Sequence, residues 1–267
     1  MIQKQYPYLY ETHLHTSSGS ACGKNTPEEM VIAAKEAGYT GIIITEHNWG
    51  GNTAIDRKLP WEQWLEGYCA GYYAAKKCGE SIGLDVFFGY EAGFGGTDFA
   101  GTEFLIYGIS PEWLLQHPQI RKMNAQEHLR TVREAGAMVV HAHPYRVATY
   151  IPQVRLVPEW VDAVEAVNAV HSNTKSRSHY NPEYDSQALA YAKGEGLPIT
   201  AGSDIHNTGL LGGGVAFSKR LNSIQDYCDS VMGGGDYVLT NGEKVFDRFG
   251  EEISASASWR NIANDHK

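Results

Sequence analysis

The sequence predicts an α/β fold in which strand–helix units repeat around a parallel sheet. Short apolar runs recur along the 267 residues, and segments of helical character follow them, which is the pattern that such units produce. Several runs are rich in isoleucine and valine, as the buried strands of a parallel sheet are. The length suits one barrel of about 250 residues. Because no internal repeat or linker divides the chain, we expect one domain over residues 1–267.

Seven apolar runs are predicted as the strands of this sheet. They cover residues 9–15, 41–47, 86–90, 103–108, 137–143, 163–168 and 198–204. The helices expected between them cover residues 26–38, 60–77, 124–135 and 183–195. From about residue 212 the chain changes character, and we expect a C-terminal extension made of a helix at 223–232, a short hairpin and a polar tail.

The first long helix has the clearest boundaries. Thr26 suits the N-cap, Pro27 the first helical position, and the acidic Glu28 and Glu29 the first turn, where the helix dipole favours negative charge. Gly38 suits the C-terminal end. In the next helix four large side chains recur at helical spacing, and we interpret them as core residues: Trp61, Trp64, Leu65 and Tyr68.

Composition excludes some classes of partner and compartment. A net charge of -9 opposes nonspecific binding to nucleic acid, which depends on clustered lysine and arginine, so we expect no stable nucleic-acid partner. No apolar run approaches the roughly 20 residues that span a bilayer, and the N-terminus lacks the apolar stretch of a signal peptide. We therefore expect no membrane association and a cytoplasmic location. The four cysteines lack C-x-x-C spacing, which argues against a disulfide framework.

Histidines and carboxylates collect where the predicted strands end. Because the carboxyl ends of parallel barrel strands meet at one rim, side chains far apart in sequence converge there. Imidazole and carboxylate together suit zinc, iron or manganese. We therefore predict a divalent-metal cluster whose candidate residues are His13, His15, His47, Glu91, His141, His143, Asp204 and His206.

Four segments resemble the motifs of the PHP (polymerase and histidinol phosphatase) superfamily, in order and in spacing: His13-Leu14-His15-Thr16, Thr45-Glu46-His47-Asn48, His143-Pro144-Tyr145-Arg146 and Gly202-Ser203-Asp204-Ile205-His206. The resemblance covers about residues 8–240. It implies a distorted seven-stranded (β/α)7 TIM-like barrel. For stand-alone members it also implies a phosphoesterase or phosphatase that hydrolyses a small phosphate monoester or nucleotide through metal-activated hydroxide.

The resemblance also implies two or three divalent ions, Zn, Mn or Fe. The first ion would take His13, His15, Glu91 and Asp204. The second would share Glu91 and take His143, but the histidine that the family often adds on the fourth strand is missing, since this chain has Phe104-Leu105-Ile106-Tyr107 there.

A third ion would use His47 and His206. The family adds an aspartate or histidine shortly after the first motif, where this chain has Cys22, and thiolate is a competent zinc or iron ligand. By strand alternation His141 points the same way as His143, so it either replaces the missing fourth-strand ligand or supports the ligands from behind.

Other residues are assigned to catalysis and substrate binding. Arg146 is predicted either to clamp a phosphate bidentately or to be a surface salt-bridge partner, and Glu46 to orient His47 or a water. The loop at 171–179 offers Lys175 and Arg177 to a phosphate or leaving group. The remaining histidines are expected on the surface or in structural roles: His117, His128, His179 and His266.

Two other functions remain open from the sequence. The same hydroxide could attack an amide or lactone, which a lack of phosphate-binding cations near the cluster would favour. Alternatively, the missing ligand reflects decay to a non-catalytic metal-binding module, although the intact first and fourth motifs oppose that interpretation.

Overall fold

The computed structural model describes residues 2–259, and in them helices pack against one curled, mixed β-sheet. Eleven strands of the described residues form this sheet: β1 (Tyr8–Leu14), β2 (Gly41–Ile44), β3 (Asp85–Gly93), β4 (Glu103–Tyr107), β5 (Met138–His141), β6 (Ala163–Asn168), β7 (Ile199–Gly202), β8 (Gly213–Phe217), β9 (Tyr237–Asn241), β10 (Val245–Asp247) and β11 (Glu252–Ser254).

The order of the strands is β11-β10-β9-β8-β1-β2-β3-β4-β5-β6-β7. Strands β1 to β3 run parallel, as do β5 to β7, whereas β4 is antiparallel to both of its neighbours. The sheet curls until the segment after β7 meets β1 through an isolated parallel bridge between Leu14 and Ile205. The His15 N–H donates to the Ile205 carbonyl across this seam at 2.9 Å.

All seven predicted strands are present, but they belong to a larger sheet that is not wholly parallel. The reversal of β4 has a local cause: residues 94–102, between β3 and β4, form turns and no helix. A parallel crossover needs a dozen or more residues, usually with a helix, so this shorter connection returns the chain antiparallel. The predicted strands at 41–47, 137–143 and 198–204 were too long, since β2 ends at Ile44, β5 at His141 and β7 at Gly202.

Eight α-helices lie among the described residues: α1 (Ile2–Gln5), α2 (Pro27–Ala37), α3 (Trp61–Ile82), α4 (Pro111–Gln116), α5 (Ala125–Glu134), α6 (Ala169–Ser172), α7 (Pro182–Glu195) and α8 (Ile224–Met232). The predicted ends of α2 are confirmed: Thr26 and Glu29 form a reciprocal capping box, and Gly38 adopts a left-handed conformation with φ 95°. Helix α3 continues past the predicted residue 77 to Ile82 and ends at the left-handed Gly83.

The core lies between the sheet and the helices. On α3, Trp64, Leu65 and Tyr68 are buried as predicted, and the rings of Trp64 and Tyr68 stack with their centroids 4.6 Å apart. The Tyr68 hydroxyl donates to the Glu46 backbone carbonyl at 2.6 Å. Burying an aromatic side chain of this size contributes roughly 1.5–3 kcal/mol, so α3 fixes the wall beside the candidate site.

The C-terminal extension contains the expected helix, α8, but its strands differ from a simple hairpin. Strand β8 was not predicted; it pairs antiparallel with β1, and β9 to β11 continue the sheet beyond it. A side chain at Gly214, with φ 137°, would put its Cβ 2.1 Å from the Tyr10 carbonyl oxygen, so only glycine permits this pairing. His266 lies outside the described residues.

Within residues 2–259, none of the helices combines the length and the apolar character that crossing a membrane would require.

Candidate metal centre

The strand ends bring most of the predicted ligands into one buried cluster. His13, His15, Glu91, His143 and Asp204 are all at most 5 % exposed. His47 borders them and is buried, while the His206 side chain is 29 % exposed. The first and last motifs therefore meet across the seam that joins β1 to the segment after β7.

Four side chains converge here, with two histidine nitrogens close to each other and to two carboxylates. His13 Nε2 lies 3.2 Å from His15 Nε2, and the two nitrogens lie 3.4 and 3.3 Å from Asp204 Oδ1. Glu91 offers one carboxylate oxygen to each of them, both at 3.4 Å. Four ligands with bonds of about 2.1 Å in a tetrahedron stand about 3.4 Å apart. We call this set site 1, and its spacing fits a divalent ion.

Glu165 orients His13 from behind. His13 Nδ1 lies 2.8 Å from Glu165 Oε1, and the His143 N–H donates to the other carboxylate oxygen at 3.3 Å. With Nδ1–H donating to Glu165, the Nε2 lone pair of His13 faces site 1. Sequence reasoning missed Glu165, although a charged residue inside the otherwise apolar strand β6 was a usable signal.

Glu46 orients His15 in the same way, through a serine. His15 Nδ1 lies 3.0 Å from Ser20 Oγ, whose hydroxyl donates to Glu46 Oε2 at 2.5 Å. The Glu46 carboxylate also accepts from the Thr16 hydroxyl. The predicted contact was with His47 or a water. Among the described residues Glu46 reaches the His47 backbone only through Ser20, whose Oγ accepts from the His47 N–H at 3.0 Å.

A second carboxylate lies where the fourth-strand histidine was missing. Glu103 Oε1 is 3.6 Å from His47 Nδ1, and Glu103 Oε2 is 3.7 Å from His143 Nε2. Both histidines also contact Glu91, at 2.8 and 3.1 Å. Because β4 is antiparallel, its first residue, Glu103, lies at the rim. The missing ligand was expected among the four residues that follow Glu103 in the sequence. We call Glu91, Glu103, His47 and His143 site 2.

A third group lies on the outer side of site 1 and is called site 3. One ring nitrogen from each of His15, His47 and His206 lies within 4.8 Å of the others. Cys22 lines the same pocket. Burial raises the pKa of the Cys22 thiol, but the neighbouring His206 and His47 lower it more, to about 7. Thiolate is therefore accessible near neutral pH, which suits zinc or iron.

Electrostatics keep the shared carboxylates charged. Burial raises the pKa of Glu91, but the neighbouring His47 and His13 hold it well below its usual range. Burial likewise raises the pKa of Asp204, while Arg146 and His13 hold it far below the usual value. Both side chains are acceptors that a cation can use.

Arg146 is buried against the cluster and does not project freely into the pocket. Its guanidinium forms an ion pair with Asp204 Oδ2, and its Nε donates to His171 Nε2 at 2.9 Å. Arg146 also lines a pocket of about 640 Å³ over the cluster, whose wall includes Arg57, Phe94, Tyr150 and His179. The prediction was a bidentate clamp on phosphate, and the edge of the guanidinium that carries Nε is occupied by His171.

Two ligand positions have strained backbones. His143 and Asp204 adopt φ 30° and 51°, conformations that non-glycine residues rarely take and that concentrate at functional sites. The turn at His143 also breaks the strand alternation that we used for His141. That ring stacks on Phe104 at 5.0 Å, and neither of its nitrogens has a hydrogen-bond partner among the described residues.

The other predicted contributors lie elsewhere. The pocket wall includes Ser178 and His179, but Lys175 lines a separate pocket beside Gly242. Arg177 donates to its own neighbour, the Ser176 carbonyl. His117 stacks on Trp113 at 3.9 Å, and His128 is fully buried in the core.

A curled α/β sheet that gathers histidines and carboxylates at the ends of its strands defines a metal-binding barrel-type protein. The PHP domain family model matches residues 11–206, well over half of the chain. The chain therefore belongs to the PHP domain family, which confirms the resemblance. A search of curated proteins found no match.

Solved structures share the fold. A chain from Bacteroides vulgatus, described as a two-domain protein containing a predicted PHP-like metal-dependent phosphoesterase, aligns with a TM-score of 0.63 at 16% identity. That alignment covers 90% of this chain and 66% of the other, so this chain spans about two thirds of its length. PsfC from Pseudomonas syringae aligns with a TM-score of 0.54 at 18% identity, covering 97% of this chain and 95% of PsfC. A candidate metal-dependent phosphoesterase from Bifidobacterium adolescentis aligns with a TM-score of 0.51 at 16% identity, and the alignment covers 85% of this chain and 96% of the other.

Proposed function

We propose that this chain is a metal-dependent phosphoesterase that hydrolyses a small phosphate monoester or a nucleotide. The observation that carries the proposal is that His13 Nε2 and His15 Nε2 lie 3.2–3.4 Å from each other and from carboxylate oxygens of Glu91 and Asp204, close enough for these side chains to share one divalent ion. Family membership supports the same reaction class.

Two or three ions of zinc, manganese or iron fit the residues present. Site 1 would hold the first, and site 2 would hold the second through Glu91, Glu103, His47 and His143. Site 3 would hold a third through His47, His206 and Cys22, because His15 directs its Nε2 to site 1 and its Nδ1 to Ser20. Glu91 is shared by the first two sites, as a bridging carboxylate is in paired metal centres. When bound, divalent ions act as Lewis acids and lower the pKa of bound water to about 7.

The protein's own residues then prepare the site for an anionic substrate. Glu165 and Ser20 hold the two first-motif histidines in one tautomer each, with Nε2 as the acceptor nitrogen. Arg146 places a permanent positive charge beside Asp204 at the floor of the pocket. Arg57 lies in the same wall, where its Nε donates to the Trp49 carbonyl at 2.8 Å.

The position of Arg146 favours phosphate over an amide or lactone. An acyl transition state needs one oxyanion to be stabilised, whereas a phosphoryl group carries charge on several oxygens and is commonly met by arginine. A non-catalytic module differs from both by the absence of turnover in the metal-loaded protein.

Elemental analysis and hydrolysis of p-nitrophenyl phosphate test the proposal together. We expect two or three ions per wild-type chain, with the activity and at least one ion lost in the double variant His13→Ala, Asp204→Ala. His117→Ala, which alters a ring outside the cluster, is the matched control and should keep both the ions and the activity.

Two outcomes would contradict the proposal. Fewer than one ion in the wild type, with no turnover after manganese, iron or zinc is added, would exclude an enzymatic function and favour a binding module. Acyl-ester or lactone turnover without phosphatase activity would favour the second hydrolase.

A further inference from the structure

A line of buried polar side chains runs from helix α7 to the metal cluster. Asp185 Oδ1, on α7, lies 3.0 Å from His171 Nδ1. His171 Nε2 accepts from Arg146 Nε at 2.9 Å. Arg146 then forms its ion pair with Asp204. The line therefore connects a helix outside the cluster to one of the four residues of site 1.

Each member is almost completely removed from water. His171 is 1 % exposed, Arg146 5 % and Asp185 7 %. A buried guanidinium is costly unless its N–H groups are paired, so its partners determine where it can lie. Asp185 is itself fixed, because its Oδ2 accepts from the Asn168 N–H at 3.1 Å, at the start of α6.

The chemistry of arginine assigns the protons along this line. Arginine N–H groups only donate, so His171 Nε2 must be the acceptor. The proton of the neutral imidazole then resides on Nδ1 and is donated to Asp185. An imidazole held in this way by a carboxylate has one fixed tautomer and one fixed ring orientation.

We propose that His171 and Asp185 are positioning residues that hold Arg146 in place for an anionic substrate group. With Nε directed to His171 and one Nη directed to Asp204, the second Nη is the part of the guanidinium left to face the pocket. The substrate phosphate thus meets Arg146 through that terminal nitrogen. The proposal rests on the phosphoesterase function for its kinetic test, but the positions of the protons do not depend on turnover.

The first residue of the loop at 171–179 thus contributes in a different way from that expected of Lys175 and Arg177. His171 acts through Arg146, and its ring packs edge-on against His143 with centroids 6.3 Å apart. Its ring also packs edge-on against Tyr184 of α7, with centroids 5.2 Å apart, so both α6 and α7 hold it.

A double-mutant cycle tests the coupling in the metal-loaded enzyme. With Arg146 present, His171→Ala should lower kcat/KM by about 10-fold or more, since a small misplacement of a charged group at an active site is costly. In the Arg146→Ala background the same substitution should change kcat/KM by less than about 2-fold.

Two further variants refine the test. His171→Gln, which keeps an acceptor near Arg146 Nε, should recover part of the loss. It also replaces His171→Ala if that variant does not fold. Asp185→Asn should fall between wild type and His171→Ala. Equal losses in both backgrounds would overturn the proposal and assign His171 a purely structural role.

Nitrogen-15 NMR of the histidine and arginine side chains tests the positions of these protons without an activity measurement. We expect a protonated Nδ1 and an unprotonated Nε2 for His171, together with an Arg146 Nε–H that exchanges slowly with solvent in the wild type and fast in His171→Ala. A His171 proton on Nε2, or fast exchange of the wild-type Arg146 Nε–H, would contradict the positioning role. If the metal-loaded wild type fails to hydrolyse phosphate esters while these NMR signals appear as expected, the reaction assignment fails and the positioning of Arg146 stands.

Discussion

At the scale of single residues, the site depends on three carboxylates that were not among the predicted metal ligands. Glu103 faces site 2, Glu165 fixes the ring of His13, and Glu46 acts on His15 through Ser20. Each is buried or nearly so, where an isolated carboxylate would be costly. Their partners are the predicted ligands, so the metal cluster accounts for their presence.

Replacing Glu103 should weaken site 2 selectively. Glu103→Gln keeps the size of the side chain but removes the charge that faces His47 and His143, so we expect the affinity for the second ion to fall on the order of 10- to 100-fold. Site 1 should stay filled. Titration with manganese, followed by elemental analysis, measures both. Glu134→Gln, at an exposed position of α5, is the control, and equal metal affinity in the two variants would remove Glu103 from the site.

At the scale of elements, local signals located the helices better than they located the ends and directions of strands. The capping boxes at Thr26 and Asn124 are sequence-local, and both form. The direction of β4 instead depends on the absence of a crossover helix after β3, which the apolar run at 103–108 does not encode. Strand β8 was missed because its glycines satisfy a close approach to β1 and not a propensity for strands.

Helix α5 should make the protein sensitive to mild acid. His128 lies fully buried on this helix, with Nε2 2.8 Å from the Tyr90 hydroxyl, and burial lowers its pKa to about 3. In the unfolded chain its pKa is about 6.5. The unfolded state therefore binds this proton first, and the stability due to neutral His128 is present above pH 6.5 and is lost as the pH falls towards 3, by up to about 1.4 kcal/mol per unit.

His128→Gln isolates this contribution from other titrating groups. The variant should be less stable than wild type at pH 7.5, because packing against Trp49 is lost, and the difference in the free energy of unfolding should shrink as the pH falls below 6.5. Urea unfolding of both proteins between pH 7.5 and 4.5 measures it. A difference that stays constant over this range would mean that His128 does not have the depressed pKa.

At the scale of the whole molecule, the first and last motifs meet where the segment after the edge strand β7 closes onto the interior strand β1. Site 1 takes His13 and His15 from β1 and the segment after it, Glu91 from β3, and Asp204 from the segment after β7. Strand periodicity and the rule that carboxyl ends share a rim were enough to predict this gathering. They could not predict Glu103 or the partners of Arg146, because those depend on a reversed strand and on side-chain packing between α6 and α7.

Metal should therefore stabilise the entire fold. A ligand that binds only the native state adds about 2.7 kcal/mol at a concentration 100 times its Kd, so zinc or manganese should raise the melting temperature and EDTA should lower it. Asp204→Asn should lose most of the shift, whereas His117→Ala should keep it. An equal metal-induced shift in Asp204→Asn and wild type would place the stabilising ion away from site 1.

The bridge between Leu14 and Ile205 has a consequence for the order of folding. These residues lie far apart in the sequence, and contacts of large sequence separation form slowly. The flanking residues, His13, His15 and Asp204, cannot come together before that closure. Uptake of the ion by site 1 would then mark a late stage of folding, and a newly made chain would acquire its metal only after β1 and the segment after β7 had met.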